Sequence, residues 1–234
     1  MAPPKLKMLY FPLEGRAESI RMICAQGNIP LEEEVIKFSE WPQRKAAIGH
    51  FNQLPILVVD GNSEIPQTLA INRYVAKLAN LMGKDAVEDA KIDAIVDGCN
   101  EVYSDFYLIA VPVIMNSQME DFKQLLTMRF GDKAKAAEGK PEAIAAGFKE
   151  LAEKALNGKL EKFEAILAAN PSGWLVGDKM TWGDIFVAEF MNRLVSKVEK
   201  GALDKYPKVK ELVGKVYSMP AIANYCKTKP QYCF

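Results

Sequence analysis

The sequence has one histidine, His50, and this scarcity excludes several kinds of active site. A metal site with two histidine ligands cannot be built from it. A Ser-His-Asp or Cys-His arrangement would have to use His50 itself. His50 lies in the segment AIGHFNQLP, which is typical of a loop, and we expect its side chain to be solvated. The chemistry of this chain must therefore come from other residue types, and we expect it to require no metal.

Cysteine is also scarce. The chain has four, at Cys24, Cys99, Cys226 and Cys233, and no two of them form a C-x-x-C pair. The spacing therefore gives no support to thiol-disulfide exchange or to a zinc ribbon. We interpret all four as packed or unreactive thiols in a reducing compartment.

Neither sign of charge is in excess, because Lys and Arg total 30 and Asp and Glu also total 30. Such a balance does not favour binding to nucleic acid or to an anionic membrane surface. The opening segment MAPPKLKMLYF has too short an apolar stretch for a signal peptide. No apolar run reaches the roughly 18 residues of a membrane-spanning helix. We therefore expect a cytoplasmic protein without nucleic-acid or membrane partners.

Two kinds of pattern divide the chain. In residues 1–83, strand-like and helix-like segments alternate in the order β-α-β-α-β-β-α, and the last helix is predicted to close at Gly83. In residues 84–234 the patterns are helical, and no strand pattern accompanies them. We predict an α/β domain followed by an all-α domain. Residues 131–148, which are rich in Ala, Lys and Gly, are interpreted as a mobile connection or a loosely packed helix end.

Three short motifs of the first domain are candidate ligand contacts. Pro55 precedes an apolar strand, which fits a cis peptide bond beside an extended ligand or, slightly better from the residues alone, a plain turn. Gln67 and Thr68 open a helix, where the N–H groups of the first turn suit a carboxylate, although every helix has such an end. Trp41 lies beside cations in WPQRK, as in an anion site or in an ordinary half-buried loop.

A fourth motif begins a helix of the second domain. In MTWGDIF, Thr181 lies three residues before Asp184, the spacing of a capping box. We expect the Thr181 side chain to accept a hydrogen bond from a backbone N–H and the Asp184 carboxylate to complement the helix dipole. This motif is a structural signal.

The order of these segments resembles the cytosolic glutathione transferases, and most closely their sigma class, which includes glutathione-dependent prostaglandin D synthases. The resemblance is carried by KLKMLYFPLEGRAESIR, WPQRK, FNQLPILVVDG, PQTLAINRYVA, IDAIVDGCNEV and GDKMTWGDI, and it extends from Lys5 to about Gln231. It implies a thioredoxin-like domain over 1–83 that binds glutathione as co-substrate. It also implies an all-helical domain over 84–234 that contributes the electrophile site, and a homodimer.

The resemblance implies roles for individual residues. Tyr10 matches the catalytic tyrosine, whose hydroxyl donates a hydrogen bond to the glutathione sulfur. Arg16 matches a residue that assists ionisation of the sulfur or orders the loop, and Gly15 allows a tight turn. The implied contacts to glutathione, from its glycine carboxylate to its γ-glutamyl carboxylate, are Trp41, Lys45, Gln53, Leu54, Pro55, Gln67 and Thr68. In this assignment Pro55 is the family's cis-proline.

Two assignments concern the partner subunit. The family often borrows an aspartate from the partner to meet the γ-glutamyl ammonium. Here that position is Glu101, with Asp97 one turn earlier, and both acids also fit a solvated helix face. Phe51 matches an aromatic that plugs the partner in related classes, and it also fits ordinary loop packing.

The electrophile site is implied by position alone, and its candidates are Phe11, Leu13, Tyr103, Tyr107 and Leu108. The prostaglandin D synthases of the family carry a tryptophan near Leu108, and this chain does not. The leading hypothesis is a detoxifying transferase that joins glutathione to small hydrophobic electrophiles. The alternatives are a glutathione-dependent isomerase converting prostaglandin H2 to D2, and a non-catalytic protein that carries hydrophobic ligands or resembles the S-crystallins.

Overall fold

The computed structural model describes residues 3–49, 51–115, 157–197 and 200–230; for 104–115, 157 and 197 it describes the backbone alone. Its strands and helices are β1 (Leu6–Tyr10), α1 (Glu18–Gln26), β2 (Leu31–Val35), α2 (Trp41–Arg44), β3 (Ile56–Val59), β4 (Ser63–Pro66), α3 (Thr68–Leu78), α4 (Ala86–Met115), α5 (Asn157–Ala169), α6 (Trp182–Lys197), α7 (Pro207–Tyr217) and α8 (Pro220–Thr228). His50, Cys233 and the segment 131–148 lie outside the described residues. The predicted class, a thioredoxin-like α/β domain followed by an all-α domain, is confirmed.

The four strands form one mixed sheet in the order β2-β1-β3-β4. β1 and β2 run parallel, joined by α1, whereas β3 is antiparallel to both β1 and β4. β3 and β4 are joined by a tight turn in which Asp60 and Gly61 adopt positive φ. β1 lies in the middle of the sheet, and its apolar side chains are buried on both faces, as the largely apolar segment LKMLYF predicts.

The helices α1 and α3 end in the same way. Asn28 and Asn80 take φ of 50° and 56° just beyond their helices. The N–H of the following residue then reaches back to the helix, at 2.9 Å from Leu81 to the carbonyl of Ala76. The prediction that the second of these helices continues to Gly83 was wrong, because the left-handed Asn80 stops it at Leu78.

The helix α6 is the centre of the second domain, and its residues 182–191 are all buried. α1, α4 and α7 pack around it. At Gly183 a Cβ atom would lie 2.9 Å from Ile92 on α4, so glycine allows these two helices to approach closely. The N–H of Trp182 donates to the carbonyl of Leu81 at 2.9 Å, which joins α6 to the connection between the domains.

The start of α6 differs from the predicted capping box in one bond. The Asp184 carboxylate accepts hydrogen bonds from the N–H of Thr181 at 2.7 Å and the N–H of Leu175 at 2.8 Å. The Thr181 hydroxyl donates to the same carboxylate at 2.9 Å instead of capping the helix itself. Asp184 therefore ties the loop before α6 to the helix.

Across the described ranges, no helix combines the length and apolar character needed to span a bilayer.

Candidate active site

The strand register brings the candidate residues of the first domain to one edge of the sheet. Leu9 of β1 pairs with Ile56 of β3, and Ile56 pairs with Pro66 of β4. The end of β1, the start of β3 and the end of β4 therefore meet. Tyr10, Pro55 and Gln67 are the next residues of these three segments.

Tyr10 ends β1, and its side chain is 6% exposed. Its hydroxyl oxygen accepts a hydrogen bond from the backbone N–H of Arg16 at 2.8 Å. The loop from Phe11 to Glu14 thus folds back over the end of the strand and begins α1 close to the tyrosine oxygen.

Gly15 makes this return possible. Its φ is +41°, in the region that favours glycine, and a Cβ atom at this position would lie 2.4 Å from the Tyr10 hydroxyl oxygen. The carbonyl of Gly15 accepts hydrogen bonds from the Tyr103 hydroxyl at 2.9 Å and from Nη2 of Arg193 at 3.0 Å. Residues from the helical domain therefore hold the loop that contacts Tyr10.

The side chain of Arg16 points toward the helical domain. Its Nη1 donates to Oδ1 of Asn100 at 3.1 Å, and its guanidinium lies 5.2 Å from the centre of the Tyr103 ring. These contacts fit the loop-ordering alternative proposed for this residue, because Arg16 touches Tyr10 through its backbone N–H.

The start of β3 has a cis peptide bond between Leu54 and Pro55. The plain turn, which the residues alone slightly favoured, is therefore wrong at this position, and the cis-proline implied by the family resemblance is present. Pro55 itself is buried, and Leu54 is half-buried.

Gln67 has a backbone conformation that is rare outside glycine, with φ 74° and ψ 121°. Strained residues of this kind persist where the surroundings hold them, often at ligand sites. Its Nε2 donates to Oε1 of Gln53 at 3.4 Å, and both side chains are exposed. Thr68 begins α3 and is 6% exposed. Two exposed amides thus lie beside a helix N-terminus, an arrangement suited to the polar main chain and carboxylate of a peptide.

The segment after β2 contributes an aromatic cluster and an exposed cation. Phe11 stacks on Phe38 at 5.0 Å between ring centres and meets the edge of Trp41 at 5.4 Å. Trp41 is 6% exposed, whereas Lys45 is exposed. The Trp41 ring therefore anchors the segment, and Lys45 is available to an anionic group.

Asp97 and Glu101, the two acids expected to reach the glutathione of the partner subunit, form ion pairs within this chain. Asp97 lies 3.8 Å from Nη2 of Arg73, and Glu101 lies 2.7 Å from Nζ of Lys159. Both acids are exposed, so these pairs contribute little to stability. Phe51 is 57% exposed, which is unusual for a large aromatic side chain.

The candidates for the electrophile site divide into two groups. Phe11, Leu13 and Tyr103 are 8%, 4% and 2% exposed, and the Tyr103 hydroxyl is bonded to Gly15. Phe11 and Leu13 belong to the loop after Tyr10, and Tyr103 contacts the end of that loop from α4. Tyr107 and Leu108 belong to α4, and their side chains lie outside the described residues.

Several site neighbours were missed from the sequence. Arg21 is 3% exposed and donates to Glu33, to Glu18 and to the carbonyl of Leu13. Its guanidinium lies 5.9 Å from the Tyr10 ring centre. The signal that could have indicated these residues is a charged pair on an otherwise apolar helix face.

A second such pair, Glu189 and Arg193, lies on α6. Both side chains are almost fully buried, and they form an ion pair one helical turn apart. Burial raises the pKa of Glu189 to about 7, although the neighbouring Arg193 guanidinium opposes this. The pair holds Arg193 beside the Gly15 carbonyl.

The described cysteines behave as packed thiols. Cys24 and Cys99 are buried and unpaired, and Cys226 is half-buried. Burial, with a smaller effect from the Glu33 carboxylate, raises the pKa of the Cys24 thiol to about 12. Burial likewise raises the pKa of Cys99. These two thiols are not activated nucleophiles.

Comparison with known proteins places this architecture in one family. Residues 124–229 match the family described as Glutathione S-transferase, C-terminal domain. Glutathione S-transferase 4 of Caenorhabditis elegans is 34% identical over 97% of each chain. Human hematopoietic prostaglandin D synthase is 32% identical over 97% of this chain and 98% of its own. The structure of monomeric Na-GST-3, a glutathione S-transferase of the hookworm Necator americanus, superposes with a TM-score of 0.77 at 29% identity over 98% and 100% of the two chains. The chain therefore belongs to the glutathione S-transferase family.

Proposed function

We propose that this protein joins the sulfur of glutathione to small hydrophobic electrophiles, with Tyr10 as the catalytic residue that stabilises the thiolate. The thiol proton leaves to solvent, the thiolate forms a bond to the electrophilic carbon, and the leaving group departs or a strained ring opens. The observation that carries the proposal is the position of the Tyr10 hydroxyl at the end of β1, where its oxygen accepts a hydrogen bond from the Arg16 N–H. A hydroxyl that accepts such a bond can also donate one.

The energies are adequate for this role. A free thiol with a pKa of ~8.5 is only a few per cent ionised at neutral pH. Lowering that pKa by about two units requires roughly 2.7 kcal/mol of preference for the anion. A hydrogen bond to a charged group contributes ~1.5–3 kcal/mol, so one well-aimed hydroxyl is nearly sufficient.

We propose that glutathione extends along the edge of the sheet from Lys45 to the N-terminus of α3. The exposed ammonium of Lys45 and the Trp41 segment would bind the glycine carboxylate. The main chain at Leu54, beside the cis-proline, would pair with the cysteine. Gln67, together with Gln53 and the first turn of α3 at Thr68, would bind the γ-glutamyl group, where the helix dipole favours a negative charge.

A titration of bound glutathione tests the role of Tyr10. The ultraviolet absorbance of the thiolate is followed across pH in the wild type and in Tyr10→Phe. We expect the bound thiol to ionise well below its free pKa in the wild type and to lose most of that shift in the variant. Turnover should fall by well over tenfold, while glutathione binding is largely kept. An unchanged shift in Tyr10→Phe would remove this residue from the mechanism.

A second activity, isomerisation of prostaglandin H2 to D2, uses the same thiolate. It is favoured by the 32% identity to human hematopoietic prostaglandin D synthase and disfavoured by the absence of a tryptophan near Leu108. Product analysis with the endoperoxide, against a control without glutathione, distinguishes the two. Tight binding of an apolar dye without conjugation of any electrophile would instead support a carrier or an S-crystallin-like structural role.

We further propose a sigma-class homodimer that works in the cytoplasm. Phe51, exposed in the single chain, suits a socket on the partner, and Glu101 or Asp97 would reach the partner's glutathione. Sedimentation of the wild type and of Phe51→Ser tests this, since loss of a dimer in the variant alone supports the socket. A wild type that sediments as a monomer would contradict it.

A further inference from the structure

The peptide group between Gly15 and Arg16 is hydrogen-bonded at both ends. Its N–H, which belongs to Arg16, donates to the Tyr10 hydroxyl oxygen at 2.8 Å. Its C=O, which belongs to Gly15, accepts from the Tyr103 hydroxyl at 2.9 Å and from Arg193 Nη2 at 3.0 Å. A carbonyl oxygen has two lone pairs, so two donors from the helical domain can engage it together.

Both donors are held by the core of the helical domain. Tyr103 on α4 is 2% exposed, and its ring centre lies 4.8 Å from that of Phe190. The Arg193 side chain on α6 is 2% exposed, and its guanidinium is held by Glu189. The Arg193 guanidinium also lies 5.7 Å from the centre of the Tyr103 ring, so the two donors contact each other.

We propose that Tyr103 and Arg193 are positioning residues for Tyr10, which from the helical domain fix the Gly15–Arg16 peptide so that its N–H orients the tyrosine hydroxyl toward the glutathione sulfur. This inference rests on the thiolate role proposed for Tyr10. The peptide unit is planar, so fixing its carbonyl also fixes the direction of its N–H.

The same bonds strengthen Tyr10 as a donor. Hydrogen bonds in a chain polarise one another, with an estimated gain of roughly 10–30% per bond. Here the chain runs from a charged guanidinium and a hydroxyl, through the peptide, to the Tyr10 oxygen. Tyr103 was expected to line the electrophile site, whereas in this proposal it acts from beneath the loop.

The first experiment removes one oxygen atom with Tyr103→Phe. The readouts are the pH profile of kcat/KM for the electrophile at saturating glutathione, the thiolate titration of bound glutathione and the KM for glutathione. We expect the apparent pKa of the acidic limb of the profile to rise by about half a pH unit to one pH unit, which is the effect of one neutral hydrogen bond. Below that limb the rate should fall about threefold to tenfold, and above it little change is expected, because the thiol is then ionised without help.

Tyr206→Phe is the matched control, because it also removes the hydroxyl of a buried tyrosine, at the start of α7. We expect it to leave the acidic limb unchanged. An equal movement in both variants would mean that Tyr103 matters for folding alone, and it would overturn the proposal.

The second experiment addresses Arg193 without leaving a buried carboxylate unpaired. The double variant Glu189→Gln, Arg193→Met is compared with Glu189→Gln alone, in which the amide oxygen can still accept from the guanidinium and keep it beside Gly15. We expect the double variant to move the acidic limb by at least as much as Tyr103→Phe, and the single variant to keep the wild-type limb. If the apparent pKa of the acidic limb is unchanged in both Tyr103→Phe and the double variant, the proposal is overturned.

Tyr10→Phe, measured in parallel, separates the two proposals. If it abolishes the thiol shift while the other variants leave it intact, the thiolate role of Tyr10 stands and the positioning role fails. If Tyr10→Phe leaves the shift intact, both fail together.

Discussion

The ammonium of Lys229 lies 2.6 Å from Oε1 of Glu18, and this contact ties the last described helix, α8, to the first, α1. The same ammonium lies 2.7 Å from Glu14, within the loop that follows Tyr10. The Tyr225 hydroxyl donates to the other oxygen of Glu18 at 3.0 Å. The end of α8 therefore contacts both this loop and α1, in addition to the contacts that α4 and α6 make with Gly15.

Lys229→Met should lower the free energy of unfolding by roughly 1–2 kcal/mol. The substitution removes one partner of a Glu18 carboxylate that is 3% exposed, while the bonds from Arg21 and Tyr225 remain. Urea unfolding measures the loss. Lys227→Met is the control, since Lys227 is exposed on the same helix and its removal should change the unfolding free energy by less than about 0.5 kcal/mol. Equal losses in the two variants would contradict a specific role for the Glu18 contact.

Gly15→Ala should lower kcat by more than about tenfold, because the new methyl group would meet the Tyr10 hydroxyl at 2.4 Å and force the loop away from it. The positive φ adds a backbone cost of roughly 1 kcal/mol. Steady-state kinetics and thermal unfolding measure the two effects. Gly214→Ala on α7 is the control, since a Cβ there meets nothing within 4 Å and should leave kcat unchanged. Normal activity in Gly15→Ala would show that the loop contact with Tyr10 is dispensable.

Much of the first domain could be predicted because its signals are local. The largely apolar segment LKMLYF marks β1, alternating elements give the sheet, and the family pattern picks out Tyr10, Pro55 and Gln67, which the strand register brings to one edge. The end of α3 could not be predicted from periodicity, because apolar residues continue at helical spacing beyond Asn80. A left-handed asparagine ended the helix there, and asparagine within a helical pattern is an ambiguous signal.

Gln67→Gly should raise the free energy of unfolding by roughly 0.5–1 kcal/mol and still weaken glutathione binding about tenfold or more. Glycine relieves the positive φ of 74°, but the substitution removes the amide that lies beside Gln53. Calorimetric titration and urea unfolding give the two values. Asn80→Gly, at another positive φ, should gain stability without losing affinity. If Gln67→Gly binds glutathione as tightly as the wild type, the amide has no part in the site.

Asp184 should make the protein less stable as the pH rises from about 4 to 6. Burial, opposed by the hydrogen bonds from Leu175 and Thr181, raises its pKa from 3.8 to about 6. Between these values the folded chain holds a proton that the unfolded chain has lost, so raising the pH favours unfolding. The full effect is on the order of 3 kcal/mol and is complete above pH 6 or so.

The comparison with Asp184→Asn isolates this titration. Urea unfolding of both proteins across this range should show the variant less stable throughout, because an amide cannot accept all three hydrogen bonds. The stability gap should narrow as the pH rises, since only the wild type carries the cost of a buried charge. A gap that widens with rising pH would mean that the carboxylate ionises more easily in the folded state.

The contacts that hold Gly15 could not be predicted from the sequence. Tyr103 and Arg193 are 88 and 178 residues away from it, and neither periodicity nor spacing relates positions so far apart. Position alone assigned Tyr103 to the electrophile site, although its hydroxyl is bonded to the loop. What the sequence does contain is an arginine and a glutamate one turn apart in the apolar segment DIFVAEFMNRLV, and this pattern indicates a buried polar contact.

The two bonds at the Gly15 carbonyl also bear on how such enzymes diverge. A chimera that joined residues 1–83 of this chain to the helical half of a relative would exchange the proposed electrophile site together with the hydroxyl of Tyr103 and the guanidinium of Arg193. Preference for an electrophile and acidity of the bound thiol would then be inherited as one unit. A relative that loses either donor while adapting to a new substrate would need another group to position its tyrosine hydroxyl.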